Sequence, residues 1–250
     1  MTELKEQIRA NLESVRGRIA DAAVRSDRNP HEVTVVAITK TFGLEYLLAA
    51  YELGLRHFGE NRVGEAAEKL PAVEEWLAGR EEPTWHMVGH LQRRQARDAL
   101  RLFDLIHSVD SLRLAERIDR LCQREGRGPM PILLEVNTSG EEQKYGFRLH
   151  RWPEDPTQWA DFLSGVEKIL KLPGVKVRGL MTMAPLVEPE ATRPCFRRLR
   201  DIRDALAQVF PEADWHELSM GMTNDFEVTV EEGATMLRLG RAIFGPREEE

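Results

Sequence analysis

Apolar residues recur at helical spacing over the first 25 positions, where Leu4, Ile8, Leu12, Val15 and Ile19, followed by Ala22 or Ala23, stand among charges. That period predicts an amphipathic helix, ended by Asp27-Arg-Asn-Pro30. From there short β-branched, apolar runs alternate with longer amphipathic stretches. The short runs predict strands at 33–39, 56–60, 84–89, 105–109, 132–137, 175–181, 215–219 and 236–239. The stretches between them predict helices near 44–53, 62–78, 91–101, 111–125, 157–171, 189–208 and 224–231, with Phe244-Gly-Pro-Arg247 closing the last connection. Strands separated by crossover helices pair in parallel, because a parallel return needs a long path. Such units repeated along 250 residues predict an α/β (β/α)8 TIM barrel with an extra N-terminal helix, one domain spanning 1–250. A doubly wound open sheet is the alternative if 56–60 or 215–219 is not a strand. No linker or low-complexity segment interrupts the chain, and Thr138–Gln143 and His150–Pro156 read as insertions on the barrel.

Composition narrows the function. With 42% hydrophobic and 31% charged residues, 18 Gly and 13 Pro, the chain is a globular protein and not a disordered, collagenous or coiled-coil one. The net charge is −7 and no like-charge block exceeds the terminal Glu248-Glu249-Glu250, so nothing marks a nucleic-acid partner. No apolar segment is long enough to span a membrane, and the N-terminus lacks the apolar stretch of a secretory signal. Cys122 and Cys195 lie far apart without metal-ligand spacing and read as buried thiols in a reducing compartment. A cytoplasmic, monomeric, metal-free protein that binds small molecules is the expectation.

In a parallel barrel the chemistry collects at the C-terminal ends of the strands. Lys40 ends the run Val33-Thr-Val-Val-Ala-Ile-Thr39 and is the one lysine of seven at the end of a buried strand. Desolvation there favours a nucleophilic amine, which makes Lys40 a Schiff-base candidate; the other reading is a salt-bridged rim lysine. Lys144, in a polar loop, reads as solvated and mobile. Leu218-Ser-Met-Gly-Met222 and Leu239-Gly-Arg-Ala-Ile-Phe-Gly245 place glycine-containing backbone after the last two strands, where barrels bind phosphate. Arg238 lies between Leu237 and Leu239, so alternation turns its guanidinium away from both leucines and into the barrel. Its acceptor there is either a carboxylate such as Glu60 or Glu135, or a ring nitrogen or acid group of a ligand. Met181, Met183, Met220 and Met222 supply either core packing or a soft wall for a flat ring.

With these residues in view, the chain resembles the pyridoxal phosphate homeostasis protein family, single-domain relatives of the alanine racemase barrel. Further landmarks are His57-Phe-Gly-Glu-Asn61, Trp85-His-Met-Val-Gly-His-Leu-Gln92, His107-Ser-Val-Asp-Ser111, Glu135-Val-Asn137, Lys144–Phe147 and Gly179-Leu-Met-Thr-Met183. The resemblance implies that pyridoxal 5′-phosphate is the cofactor and that Lys40 holds its aldehyde as a Schiff base. Ser219 and the backbone of Gly240 and Arg241 would hold its phosphate. Arg238 would face the pyridine nitrogen, and Asn61 and Met181 would line the ring. Two departures stand out: Arg93-Arg94 replaces a frequent Asn-Lys, and Arg241 replaces a frequent Thr, which removes one hydroxyl donor but no backbone N–H.

An arginine at the ring nitrogen is a permanent donor and weakens the ring as an electron sink. A racemase also needs an acid/base on the opposite face, supplied in the two-domain relatives by a further domain. None of Tyr46, Tyr51 and Tyr145 reads as its replacement. The expectation is a protein that stores or delivers the cofactor to pyridoxal-phosphate-dependent apoenzymes and buffers free aldehyde, without robust turnover. A weak amino-acid racemase is the alternative, and a lysine-dependent aldolase the third reading.

Overall fold

The computed structural model describes residues 2–246. In chain order its elements are α1 (Thr2–Arg25), β1 (Thr34–Ile38), α2 (Leu44–Glu52), β2 (His57–Glu60), α3 (Val63–Leu77), β3 (Thr84–Met87), α4 (Ala96–Leu102), β4 (Leu105–Val109), α5 (Leu112–Arg124) and β5 (Met130–Asn137). There follow β6 (Phe147–Arg148), α6 (Pro156–Leu170), β7 (Val175–Met181), α7 (Pro189–Val209), β8 (Glu217–Ser219), α8 (Phe226–Glu231), β9 (Met236–Leu239) and α9 (Arg241–Phe244). All pairings are parallel. The order β4-β3-β2-β1-β9-β8-β7-β5 closes through a β4–β5 pairing, while β6 is a two-residue branch on β5. The result is a closed eight-stranded barrel rather than an open sheet.

Strand alternation sorts the core into two. Leu237 and Leu239 of β9, Leu134 of β5 and Leu180 of β7 join the layer between sheet and helices. Their neighbours Met236, Leu133 and Met181 form a small separate cluster with Val36, Ile38 and Leu105 inside the barrel. Local chemistry sets the helix starts. Ser111 caps α5 by accepting from Leu114 N–H, and Asp155 caps α6, whose first residue is the proline favoured there.

The eighth unit is short: its helix, α9, has four residues and cannot cover β9 and β1. The first helix takes that place. α1 buries Ile8, Leu12, Val15, Ile19, Ala22 and Ala23, the stripe read from its periodicity, and packs against α2, α8 and α9. Asn11 Nδ2 donates to the Ile243 carbonyl at 2.9 Å, and Arg18 and Arg25 pair with Glu227 and Glu231. Each large aliphatic so buried contributes roughly 2 kcal/mol. Both cysteines are buried free thiols, their pKa values raised by burial. Some details differ from the expectation: the strand expected at 84–89 ends at Met87, that at 132–137 starts at Met130 and that at 215–219 starts at Glu217. A 3-10 turn at Arg93–Gln95 replaces the start of the helix expected at 91–101. The β6 branch and α9 were not foreseen. Glu248–Glu250 and Arg247 lie outside the described residues.

Candidate functional site

Lys40 stands two residues past β1, half-buried, at the mouth of the barrel. The turn that carries it is held from behind. Thr39 Oγ1 donates to Glu60 Oε1 at 2.6 Å, and Lys69 Nζ donates to the same oxygen at 2.7 Å and to the Thr39 carbonyl at 2.8 Å. Glu65 Oε1 accepts from Thr41 N–H at 2.5 Å and so holds Thr41 at φ 66, a left-handed conformation costly for a threonine. Burial pushes the Glu60 carboxyl up, and the Lys69 ammonium pulls it partly back.

Neighbouring strands bring the rest of the mouth to Lys40. β9 pairs with β1 in the register Val36↔Arg238 and Ala37↔Leu239, so Gly240 and Arg241 leave the barrel beside Ile38 and Thr39, next to Lys40. A Cβ on Gly240 would lie 3.4 Å from the Ile38 carbonyl oxygen, a measure of that proximity. Gly240 caps α9, and Thr223 Oγ1 accepts from Ala242 N–H at 3.2 Å. The hydroxyl found at this N-terminal turn is therefore that of Thr223, four residues beyond Ser219.

Ser219 is inside the barrel, with none of its surface exposed. Its Cα is in register with Met181 on one side and Met236 on the other. Arg238, also buried, donates from Nη1 to Ser219 Oγ at 2.7 Å and from Nη2 to the Thr182 carbonyl at 2.9 Å. Neither Glu60 nor Glu135 is its hydrogen-bond acceptor. Both partners are neutral, and the guanidinium stays charged although burial lowers its pKa to about 10. Glu135 lies near enough to be felt; burial, and secondarily Asp110, raise its carboxyl to about 7.

Beyond Ser219 a chain of imidazoles crosses the barrel. His107 Nδ1 lies 2.8 Å from Ser219 Oγ, His86 Nδ1 lies 2.8 Å from His107 Nε2, and His57 Nδ1 lies 3.0 Å from His86 Nε2. Burial lowers His86 to about 3 and takes His107 well below its usual range, so both are neutral at pH 7. The three histidines stand one to a strand on β2, β3 and β4, each two residues further along the barrel than the one before, and that stagger was the signal available in the sequence.

The remaining candidates divide by depth. Asn61 is half-buried just past β2, and its backbone touches Gly89, where a Cβ would lie 2.2 Å from the Asn61 carbonyl oxygen. Met181 is wholly buried in the barrel interior, with Met183 packed above it and partly open; Met220 faces the helices and Met222 faces solvent. Lys144 is not the solvated, mobile side chain expected. It donates to the Met183 carbonyl at 3.0 Å and pairs with Glu141, which draws its loop across to β7. Tyr145 stands on the rim, 51% exposed, its ring stacked on His90 at 3.5 Å. Among the described residues no cluster of His, Cys, Asp or Glu is arranged to hold a metal ion, and no helix is long and apolar enough to cross a membrane.

Comparison with known proteins bears on this arrangement. The family "Alanine racemase, N-terminal domain" matches residues 5–248. The pyridoxal phosphate homeostasis protein of Aquifex aeolicus is 37% identical over 95% of this chain and 97% of its own. That of Escherichia coli K12 is 35% identical over 95% and 96%. The structure of PipY from Synechococcus elongatus PCC7942 with pyridoxal phosphate bound superposes with a TM-score of 0.77 at 37% identity, covering 96% of this chain and all of that one.

Proposed function

Because the chain belongs to the pyridoxal phosphate homeostasis proteins, within the alanine racemase N-terminal domain family, we propose that it binds pyridoxal 5′-phosphate at the barrel mouth and serves to store and deliver it. The observation that supports this best is the meeting of Lys40, Arg238 and the Gly240–Arg241 turn on adjacent strands in register. That donor set fits the ligand. A phosphorylated pyridine aldehyde presents an anion, an electrophilic carbon and a ring nitrogen, and the site opposes to them a helix N-terminal turn, an amine and a guanidinium.

In this reading Lys40 is the covalent attachment point, and the Glu60–Lys69–Glu65 network fixes the turn from which it projects. Backbone N–H groups of Gly240 and Arg241 hold the phosphate. The hydroxyl beside them is that of Thr223, and Ser219, fully buried beneath, acts on Arg238 instead. Arg238 meets the ring nitrogen with a donor that cannot give up its proton, while Asn61 and Met183 flank the ring above Met181. When bound, the cofactor supplies an aldehyde that condenses reversibly with amines. Arginine at the nitrogen limits its use as an electron sink, which favours carriage over turnover. We further propose that the protein works as a monomer in the cytoplasm and passes the cofactor to apoenzymes that depend on it.

The test is the visible spectrum of the purified protein with added pyridoxal phosphate, beside Lys40→Ala, followed by borohydride reduction and peptide mapping. A yellow band, absent in Lys40→Ala and trapped on the Lys40 peptide, is the expected result. Label on another lysine, or no colour, refutes the assignment. Light scattering on the same sample returns one 28.6 kDa chain, and twice that mass refutes the monomer. Racemisation of added amino acids that disappears in Lys40→Ala would establish the alternative.

A further inference from the structure

Three histidines from three adjacent strands line up through the barrel toward one serine, and the proposed binding chemistry uses none of them. Donor and acceptor balance gives the line a direction. Arg238 can only donate, so Ser219 Oγ accepts from Nη1. The serine retains one proton, and among the described residues His107 Nδ1 is the only acceptor within reach of it. Were Nδ1 protonated instead, Ser219 would accept twice and its own buried O–H would go unpaired, which costs about 1–3 kcal/mol. His107 therefore keeps its proton on Nε2 and donates it to His86 Nδ1; His86 in turn donates from Nε2 to His57 Nδ1. The line ends at His57, half-buried, whose charged neighbour is Glu217. Among the described residues the His86 ring is hydrogen-bonded to the other two histidines and the His107 ring to His86 and Ser219, with Arg238 near it, so a positive charge on either would meet N–H groups or the guanidinium and no carboxylate partner.

We propose that His57, His86 and His107 form a one-way relay of neutral Nε2–H imidazoles that holds Ser219 as the acceptor for Arg238, which makes His107 a positioning residue for the guanidinium. Each donation polarises the next group, so the serine oxygen that donates its hydrogen bond to His107 is the stronger acceptor for Arg238. Arg238 is thus aimed without a carboxylate partner, and its charge stays available to a ligand. The link from Arg238 to a ring nitrogen rests on the function proposed above; the relay itself does not.

Two measurements test this. The first is long-range 1H–15N correlation of histidine-labelled wild-type protein from pH 6 to 8, which reads each tautomer directly. Nε2–H in all three, without titration of His86 or His107, is expected. Nδ1–H on His107, or a charged His86, overturns the relay whatever the ligand does. The second compares pyridoxal phosphate binding in His107→Leu and His107→Asn, since an asparagine oxygen can occupy the Nδ1 position and accept from Ser219. His107→Leu should weaken binding about tenfold, the effect of losing one hydrogen bond in a charged network, and shift the absorption of the bound chromophore. His107→Asn should restore both. Unchanged affinity and spectrum in His107→Leu overturn the positioning role. If His107→Leu does not fold, the wild-type tautomers decide. If wild-type protein takes up no pyridoxal phosphate at Lys40, the proposed function fails while the tautomer spectrum still judges the relay.

Discussion

Glu60 has no exposed surface, yet its Oε1 accepts hydrogen bonds from both Thr39 and Lys69, and Lys69 itself keeps only 12% of its side chain in contact with solvent. Removing one partner of such a pair strands the other charge in a medium that solvates it poorly. Lys69→Met should therefore lower stability by about 3 kcal/mol in urea unfolding, whereas Lys69→Met combined with Glu60→Gln should recover part of the loss. A single variant within about 0.5 kcal/mol of wild type would show that the network does not hold the Lys40 turn. At this scale, residues placed by strand period were legible in the sequence. Lys40 followed from the end of an apolar run, and Arg238 from its two leucine neighbours. What period cannot show is depth beyond a strand end. In Ser219-Met-Gly-Met-Thr223 the chain leaves β8 at Ser219, so one hydroxyl stays inside the barrel while the other reaches α9. Lys144 was misread for a related reason: loop residues have no period, and its anchor, the Met183 carbonyl, is 39 positions away.

The strands were the most legible elements, with 105–109, 175–181 and 236–239 matching to the residue, because each is a short run rich in apolar residues and bounded by Gly, Pro or Asp. Two- and four-residue elements such as β6 and α9 complete no period and left no pattern to read. For the same reason α1 was legible as an amphipathic helix while its task, covering the gap left by α9, was not. One element contact depends on a single residue type. Gly179, at φ 148 in β7, lies so close to β8 that a Cβ would stand 1.9 Å from the Glu217 carbonyl oxygen. The obstacle is backbone, which cannot rotate away. Gly179→Ala should therefore cost about 3 kcal/mol of unfolding free energy by separating β7 from β8. It should also weaken cofactor binding, since Ser219 ends β8. A thermal midpoint equal to wild type would mean that the two strands slide past each other freely.

A closed barrel is normally filled with aliphatic side chains, and this one encloses Arg238, Glu135, His86 and His107 as well, so its stability must respond to pH from the inside. The signs oppose each other. His86, lowered from 6.5 to about 3, binds its proton more weakly folded than unfolded, so stability is lost as pH falls below about 6.5. Glu135, raised from 4.5 to about 7 chiefly by burial, binds its proton more tightly folded, so stability is lost as pH rises through that window. The two overlap between about 4.5 and 6.5, and the wild-type curve alone would not separate them. Glu135→Gln removes one contribution and leaves the other. Relative to wild type, that variant should gain stability steadily from pH 4.5 to about 7, and the difference should then stay flat at higher pH. Denaturant midpoints of both proteins at half-unit intervals of pH would measure it. A difference constant across the window would mean that the Glu135 carboxyl is solvated like an exposed one, and the barrel interior would then be wet rather than the dry medium that keeps His86 and His107 neutral beneath Arg238.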